Sequence, residues 1–129
     1  MILGLNELSK IVEILPKDGI ILLKGNLASG KTTLVKEIAK IYGFNQNICS
    51  PTFSIMQNYD KIYHYDIYQY GSERILQNGL FENLFEDGLH LIEWADEGLE
   101  RMLKKFNLPY CTVEIEILNN KRNYKVTYA

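Results

Sequence analysis

Gly25-Asn26-Leu27-Ala28-Ser29-Gly30-Lys31-Thr32 fits G-x-x-x-x-G-K-[ST], a pattern whose chemistry is the grip of a phosphate chain. Glycine lets backbone N–H groups converge on an anion, and the N-terminus of a following helix adds unpaired donors and partial positive charge. Lys31 then supplies a mobile full charge to the β and γ phosphates. The Thr32 hydroxyl is placed to ligate Mg²⁺, and Thr33 is the next polar group along the helix.

Such a site needs a carboxylate near the metal at the end of a neighbouring buried strand, and Leu89-His90-Leu91-Ile92 ends in Glu93. Glu93 is the candidate metal-side acid; the competing reading is a carboxylate favoured by the dipole of a helix starting at Ala95. Trp94 either covers the site or belongs to the core. His64, Asp66 and Tyr68 alternate on one face of a strand. Asp66 could orient an attacking water and His64 could steady Asp66, against the alternative of a solvated edge face. His90, inside an apolar run, reads as a hydrogen-bonded core histidine. In Ser50-Pro51-Thr52-Phe53, Pro51 forces an extended path, so Thr52 is either a further oxygen for Mg²⁺ in a segment responsive to nucleotide state or part of an ordinary turn.

The elements that must position these groups are legible from periodicity. Leu5, Leu8, Ile11, Val12 and Leu15 recur at helical spacing, with Asn6 as a cap and Pro16 as a stop. Ile20 to Leu23 is an unbroken apolar run that suits a strand buried on both faces. A second helix is predicted from Lys31 to Ile41, ended by Gly43. Ile55 to Tyr59 and Lys61 to Tyr68 read as an antiparallel hairpin, and Gly71 to Phe85 as a helix interrupted at Asn78-Gly79. Ala95 to Phe106 is a further helix, and Thr112 to Leu118 with Tyr124 to Tyr128 form a closing hairpin around Asn119-Asn120. The expected fold is α/β: a mixed sheet flanked by helices in one small domain over residues 1–129.

Length and composition agree. The 129 residues are 47% hydrophobic, enough for one core of ordinary size. Apolar stretches fall far short of the roughly 20 residues of a membrane span, and Met1 to Ser9 carries no signal-peptide pattern. The expectation is a cytoplasmic protein without membrane attachment. Cys49 and Cys111 lack metal-binding spacing and read as small buried residues. A net charge of −2 lacks the basic footprint of a free-standing nucleic-acid binder.

Taken in order, the Gly25 to Thr33 loop, Ser50-Pro51-Thr52-Phe53, His64-x-Asp66-x-Tyr68, Glu93-Trp94 and Arg122 before the last strand resemble the TsaE family across nearly the whole chain. The resemblance implies a P-loop NTPase-like fold that binds ATP and Mg²⁺ and hydrolyses ATP weakly alone. It implies work with TsaD and TsaB partners that place a threonylcarbamoyl group on the adenosine beside the tRNA anticodon, with tRNA contacted indirectly. By the same resemblance Lys31 and Thr32 match phosphate and metal residues, Glu93 the second metal acid, Asp66 a residue needed for hydrolysis, and Thr52 a nucleotide-responsive loop. Asn26, Ala28 and Ser29 stand where the family usually has Asp, Gly and Ala, and Gln69 where it usually has Arg. Ala28 restricts a backbone that Gly leaves free, and Gln69 lacks the charged fork of Arg.

Three other classes compete. A small-molecule kinase needs several cations around its phosphates and a lid, whereas this chain has only Arg74, Arg101 and Arg122 as arginines. A non-enzymatic nucleotide sensor shares every binding motif and differs only in turnover. A GTPase would want Asp where Asn123 follows Asn120-Lys121.

Overall fold

The apolar run Ile20 to Leu23 lies at the heart of the sheet, as its lack of a polar face requires. The computed structural model describes residues 1–43, 56–68, 73 and 79–128. Its strands are β1 (Ile2–Leu3), β2 (Gly19–Gly25), β3 (Met56–Tyr59), β4 (Ile62–Asp66), β5 (Leu89–Glu93), β6 (Tyr110–Leu118) and β7 (Lys121–Tyr128). They form one sheet in the order β1-β7-β6-β2-β5-β4-β3. β2 pairs in parallel with β5 and β6, and β5 in parallel with β4, while the outer pairs are antiparallel. This is the expected mixed sheet.

Helices among the described residues include α1 (Ser9–Ile14), α2 (Lys31–Ile41) and α3 (Glu97–Lys105). Strand alternation divides β2 between two cores. Ile21 and Leu23 pack with Ile11 and Val12 of α1 and Leu34, Val35 and Ile38 of α2. Ile20 and Leu22 pack with Leu99 and Leu103 of α3 and with Phe81 and Leu84. The sheet is therefore helix-covered on both faces around β2, which explains why its apolar residues run without interruption.

Several boundaries differ from the sequence reading. Asn6 does not cap the first helix: a 3-10 turn at Leu5–Glu7 precedes α1, and the Gly4 N–H donates to Glu7 Oε1 at 3.0 Å. Pairing of Leu3 with Arg122 carries the chain along the sheet up to this point, so helical geometry starts later and Leu5 is left exposed. The third helix starts at Glu97 rather than Ala95, because the Asp96 carboxylate accepts from the Leu99 N–H at 2.8 Å as an N-cap. Arg122 lies inside β7, not before it. Leu80–Phe85 is a 3-10 segment following Gly79; the rest of the expected Gly71 to Phe85 helix apart from Glu73 lies outside the described residues, as do Cys49, Ser50 to Phe53, Gln69 and Arg74. Cys111 is buried, which raises its thiol pKa. No helix among the described residues is long and apolar enough to cross a membrane.

His90 is the core histidine expected. Its Nε2–H donates to the Glu86 carbonyl at 2.9 Å, so Nδ1 is the acceptor for the Tyr65 hydroxyl at 2.9 Å, and the Tyr63 ring stacks on it at 4.6 Å. Burial holds its pKa below the ordinary 6.5, partly countered by Glu86. Below the unfolded value the unfolded chain takes up a proton that the folded chain resists. The contribution of His90 is therefore fully present above about pH 6.5 and declines as pH falls through the folded value, by at most about 1.4 kcal/mol per pH unit. Urea unfolding at about pH 7.5 and about pH 5.5 should show a larger loss of stability in the wild type than in His90→Gln; equal losses would remove His90 from the account.

Candidate phosphate-binding site

β2, β5 and β4 run parallel and finish at one level: Leu23 pairs with Glu93, and Glu93 with Asp66. Residues paired in register share a face, so Glu93 and Asp66 project on the side of Leu23, where α2 packs. Two residues beyond Leu23 the chain enters the Gly25–Thr32 loop, which leads directly into α2.

Close approach fixes the loop's first residue. A Cβ on Gly25 would lie 2.5 Å from Ser29 Oγ and 2.8 Å from the Ile115 carbonyl oxygen, and its φ of 155° favours glycine as well. Gly30 takes a left-handed conformation, φ 109°, as the N-cap of α2. From the opposite side of β6, the Arg122 Nε–H donates to the Ser29 carbonyl at 2.9 Å. This tie braces the loop from β7.

Lys31 is only 5% exposed. Its ammonium donates to the carbonyls of Gly25 at 2.8 Å and Asn26 at 2.9 Å, with Ser29 Oγ at 3.4 Å, and the Trp94 ring centroid is 4.0 Å away. Burial lowers the Lys31 pKa, while the charges of Glu93 and Asp66 act in the opposite direction. Trp94 is therefore a wall of the site, packed at 4.6 Å against the exposed Tyr68 ring and held at φ 64°, a conformation rare for a bulky residue and found mostly at functional positions.

Thr32 Oγ1 lies 2.9 and 3.1 Å from the two oxygens of Glu93. Glu93 is buried, four residues ahead of α3 and separated from it by the Asp96 cap, so the helix-dipole reading of this carboxylate does not apply. The expected His64–Asp66 link is also corrected: His64 Nε2 contacts Glu93 Oε2 at 2.5 Å, because Glu93 reaches back along the shared face. His64 is wholly buried, as befits β4, which lies between β5 and β3 and is no solvated edge. Asp66 is half-buried, and its Oδ1 accepts from the Tyr68 N–H at 3.1 Å.

A cleft of about 320 Å³ opens here, lined by Leu27 to Thr33 with Asp66, Tyr68, Glu93 and Trp94. Gly25 and Asn26 line instead a larger cavity of about 410 Å³ across the loop, with Lys24, Glu114, Glu116 and Lys125. That cavity is the poorer anion site, since Lys24 is paired to Glu100 at 2.8 Å and two other carboxylates face it. In the smaller cleft a helix N-terminus, a buried ammonium and a hydroxyl–carboxylate pair converge. The first two suit phosphate. The last pair offers hard oxygen donors of the kind Mg²⁺ takes while leaving its other positions to phosphate and water. Thr52 lies outside the described residues.

The family model described as Threonylcarbamoyl adenosine biosynthesis protein TsaE matches residues 5–126. The chain belongs to the TsaE family. A curated TsaE of Rickettsia felis is 40% identical over 124 residues, covering 90% of this chain and 70% of the relative. The Rickettsia typhi protein is 44% identical over 114 residues, covering 83% and 75%, and that of Treponema pallidum 34% over 108 residues, covering 81% and 76%; all three are named tRNA threonylcarbamoyladenosine biosynthesis protein TsaE. In fold the chain is similar to the crystal structure of Bacillus subtilus YdiB, with a TM-score of 0.65 at 24% identity over 98% of this chain and 80% of that one.

Three contacts of this TsaE chain escape a reading of its sequence: His64 with Glu93, Lys31 with Trp94, and Arg122 with Ser29. Each joins separate elements: strand register discloses the first, and only the folded placement of the loops beside the strands discloses the other two. The Ala28 departure has a physical consequence. Ala28 is exposed and sits at φ 61°, where a Cβ costs about 1–2 kcal/mol, against about 0.5–1 kcal/mol of added chain entropy for glycine. Ala28→Gly should therefore raise the unfolding free energy by about 0.5–1 kcal/mol in denaturant titration; a loss of stability would show that the left-handed backbone is not strained.

Proposed function

We propose that this TsaE member binds ATP with Mg²⁺ in the cleft at the start of α2, hydrolyses it slowly alone, and turns over faster with TsaD-like and TsaB-like partners in forming the threonylcarbamoyl group on tRNA adenosine. The observation that carries this reading is the convergence of Lys31 and the Thr32–Glu93 pair on one cleft at a helix N-terminus. The pathway rests on the names of the curated relatives. With a net charge of −2, tRNA contact is assigned to the partners, and the place of action to the cytoplasm.

In this mechanism the N–H groups of the Gly25–Thr33 loop and the α2 dipole bind and orient the terminal phosphates. Lys31 exchanges the neutral carbonyls of Gly25 and Asn26 for phosphate oxygens, a better partner for a desolvated ammonium. Thr32 Oγ1 and Glu93 would hold Mg²⁺, which supplies charge neutralisation at the phosphates. Asp66, in register with Glu93, orients a water: the water oxygen bonds to the γ-phosphorus, the bond to the β,γ-bridging oxygen breaks, and Asp66 accepts the water's proton. Trp94 and Tyr68 restrict solvent access on the open side. Thr52 is assigned as a further oxygen toward the metal in a nucleotide-responsive segment.

Lys31→Ala should abolish ATP binding in calorimetry while unfolding free energy changes by no more than about 2 kcal/mol; retained affinity would defeat the assignment. Asp66→Asn should keep ATP affinity and lose phosphate release by about a hundredfold or more. Unchanged release in that variant would remove Asp66 from the chemistry, and release undetectable in the wild type even with purified TsaD and TsaB would favour a nucleotide sensor.

A further inference from the structure

His64 is the one histidine of this chain whose burial is not explained by its own hydrogen bonds. His90 satisfies both ring nitrogens, at 2.9 Å each. His64 is equally buried, yet only Nε2 is partnered, to Glu93 Oε2, and Nδ1 has no partner among the described residues. A carboxylate only accepts, so Nε2 must carry the hydrogen directed at Glu93. The remaining nitrogen is an orphan polar atom in the core, which a purely structural histidine would not retain.

We propose that His64 is the positioning residue of the cation site, holding Glu93 so that its carboxylate stays turned toward Thr32; the inference rests on the magnesium-dependent nucleotide binding proposed above. Register makes the contact possible: His64 pairs with Leu91 and Asp66 with Glu93, so the imidazole and the carboxylate leave adjacent strands on one face. The two side chains are 0% and 4% exposed, and Glu93 Oε2 is held by both His64 Nε2 and Thr32 Oγ1, with the longer Thr32 contact going to Oε1. Thr32 would be a ligand itself, so its oxygen would serve the cation while its hydrogen serves Glu93. His64 has no such competing task, which leaves it to fix the carboxylate's orientation in both states. Partners of this kind orient metal ligands, and their loss lowers metal affinity by about ten- to hundredfold.

The test is calorimetric binding of a non-hydrolysable ATP analogue to the full chain, in EDTA and across a Mg²⁺ titration, for the wild type, His64→Leu and His64→Gln. Gln carries an N–H donor at similar reach. His64→Leu should need about ten- to hundredfold more Mg²⁺ to tighten the nucleotide, with affinity in EDTA unchanged, and His64→Gln should recover most of the difference. If His64→Leu fails to fold, His64→Asn, too short to reach Glu93, takes its place with the same expectation. Equal Mg²⁺ dependence in all variants overturns the positioning role. So does a parallel loss in EDTA and in Mg²⁺ that Gln does not recover, since that marks a structural residue. A wild type that binds the analogue without any Mg²⁺ dependence removes the cation site itself and the inference with it, and a wild type that binds no nucleotide overturns the functional reading as well.

Discussion

Parallel pairing of β2, β5 and β4 is the constraint from which the candidate site follows. Because residues in register share a level and a face, Leu23, Glu93 and Asp66 arrive together at the carboxyl ends of three strands. That end of a parallel sheet is where α/β folds present loops and helix N-termini to ligands. A slip of one residue in any of these strands would turn its side chains to the opposite core, separating the carboxylates from the loop. The apolar alternation that packs Ile21 and Leu23 against one helix layer and Ile20 and Leu22 against the other is what prevents such a slip. Core packing and site geometry are in this sense one requirement.

The loop is held by contacts from outside it. Gly25 admits the close approach of Ser29 and the Ile115 carbonyl, and Arg122 reaches from β7 to the Ser29 carbonyl. Lys31 donates inward to the loop's own carbonyls beneath Trp94, and Thr32 rests against Glu93. The Lys31 ammonium and the Thr32 hydroxyl thus have protein partners in the free chain, which satisfies donors that would otherwise cost stability. Ligand binding becomes an exchange of partners within a preformed frame.

Much of this was legible in the residues. The loop motif, the buried strands Ile20 to Leu23 and Leu89 to Ile92, the extent of α2 and both hairpins follow from local pattern, and Glu93 follows from the end of an apolar run. What escaped depends on neighbours far apart in sequence. His64 was expected to serve Asp66, its neighbour along the strand, but the shared face brings Glu93 within reach across the sheet. Asn6 had the chemistry of a cap, yet pairing of β1 with β7 carries the chain to Gly4 before any helical turn begins. Trp94 reads from the sequence as either core or cover, and it is both: partly buried, it packs against the core that holds Leu22 and Leu99 and lies over Lys31 at the cleft.

The central claim is that loop amides at the start of α2, and not the larger cavity across the loop, receive the terminal phosphates. Amide chemical-shift mapping on the ¹⁵N-labelled chain, titrated with a non-hydrolysable ATP analogue and Mg²⁺, addresses it directly. The account predicts that the largest shifts fall on Ala28 to Thr33, with Glu93 and Trp94 following. Shifts confined to Lys24, Glu114 and Lys125, with the loop amides silent, would contradict it.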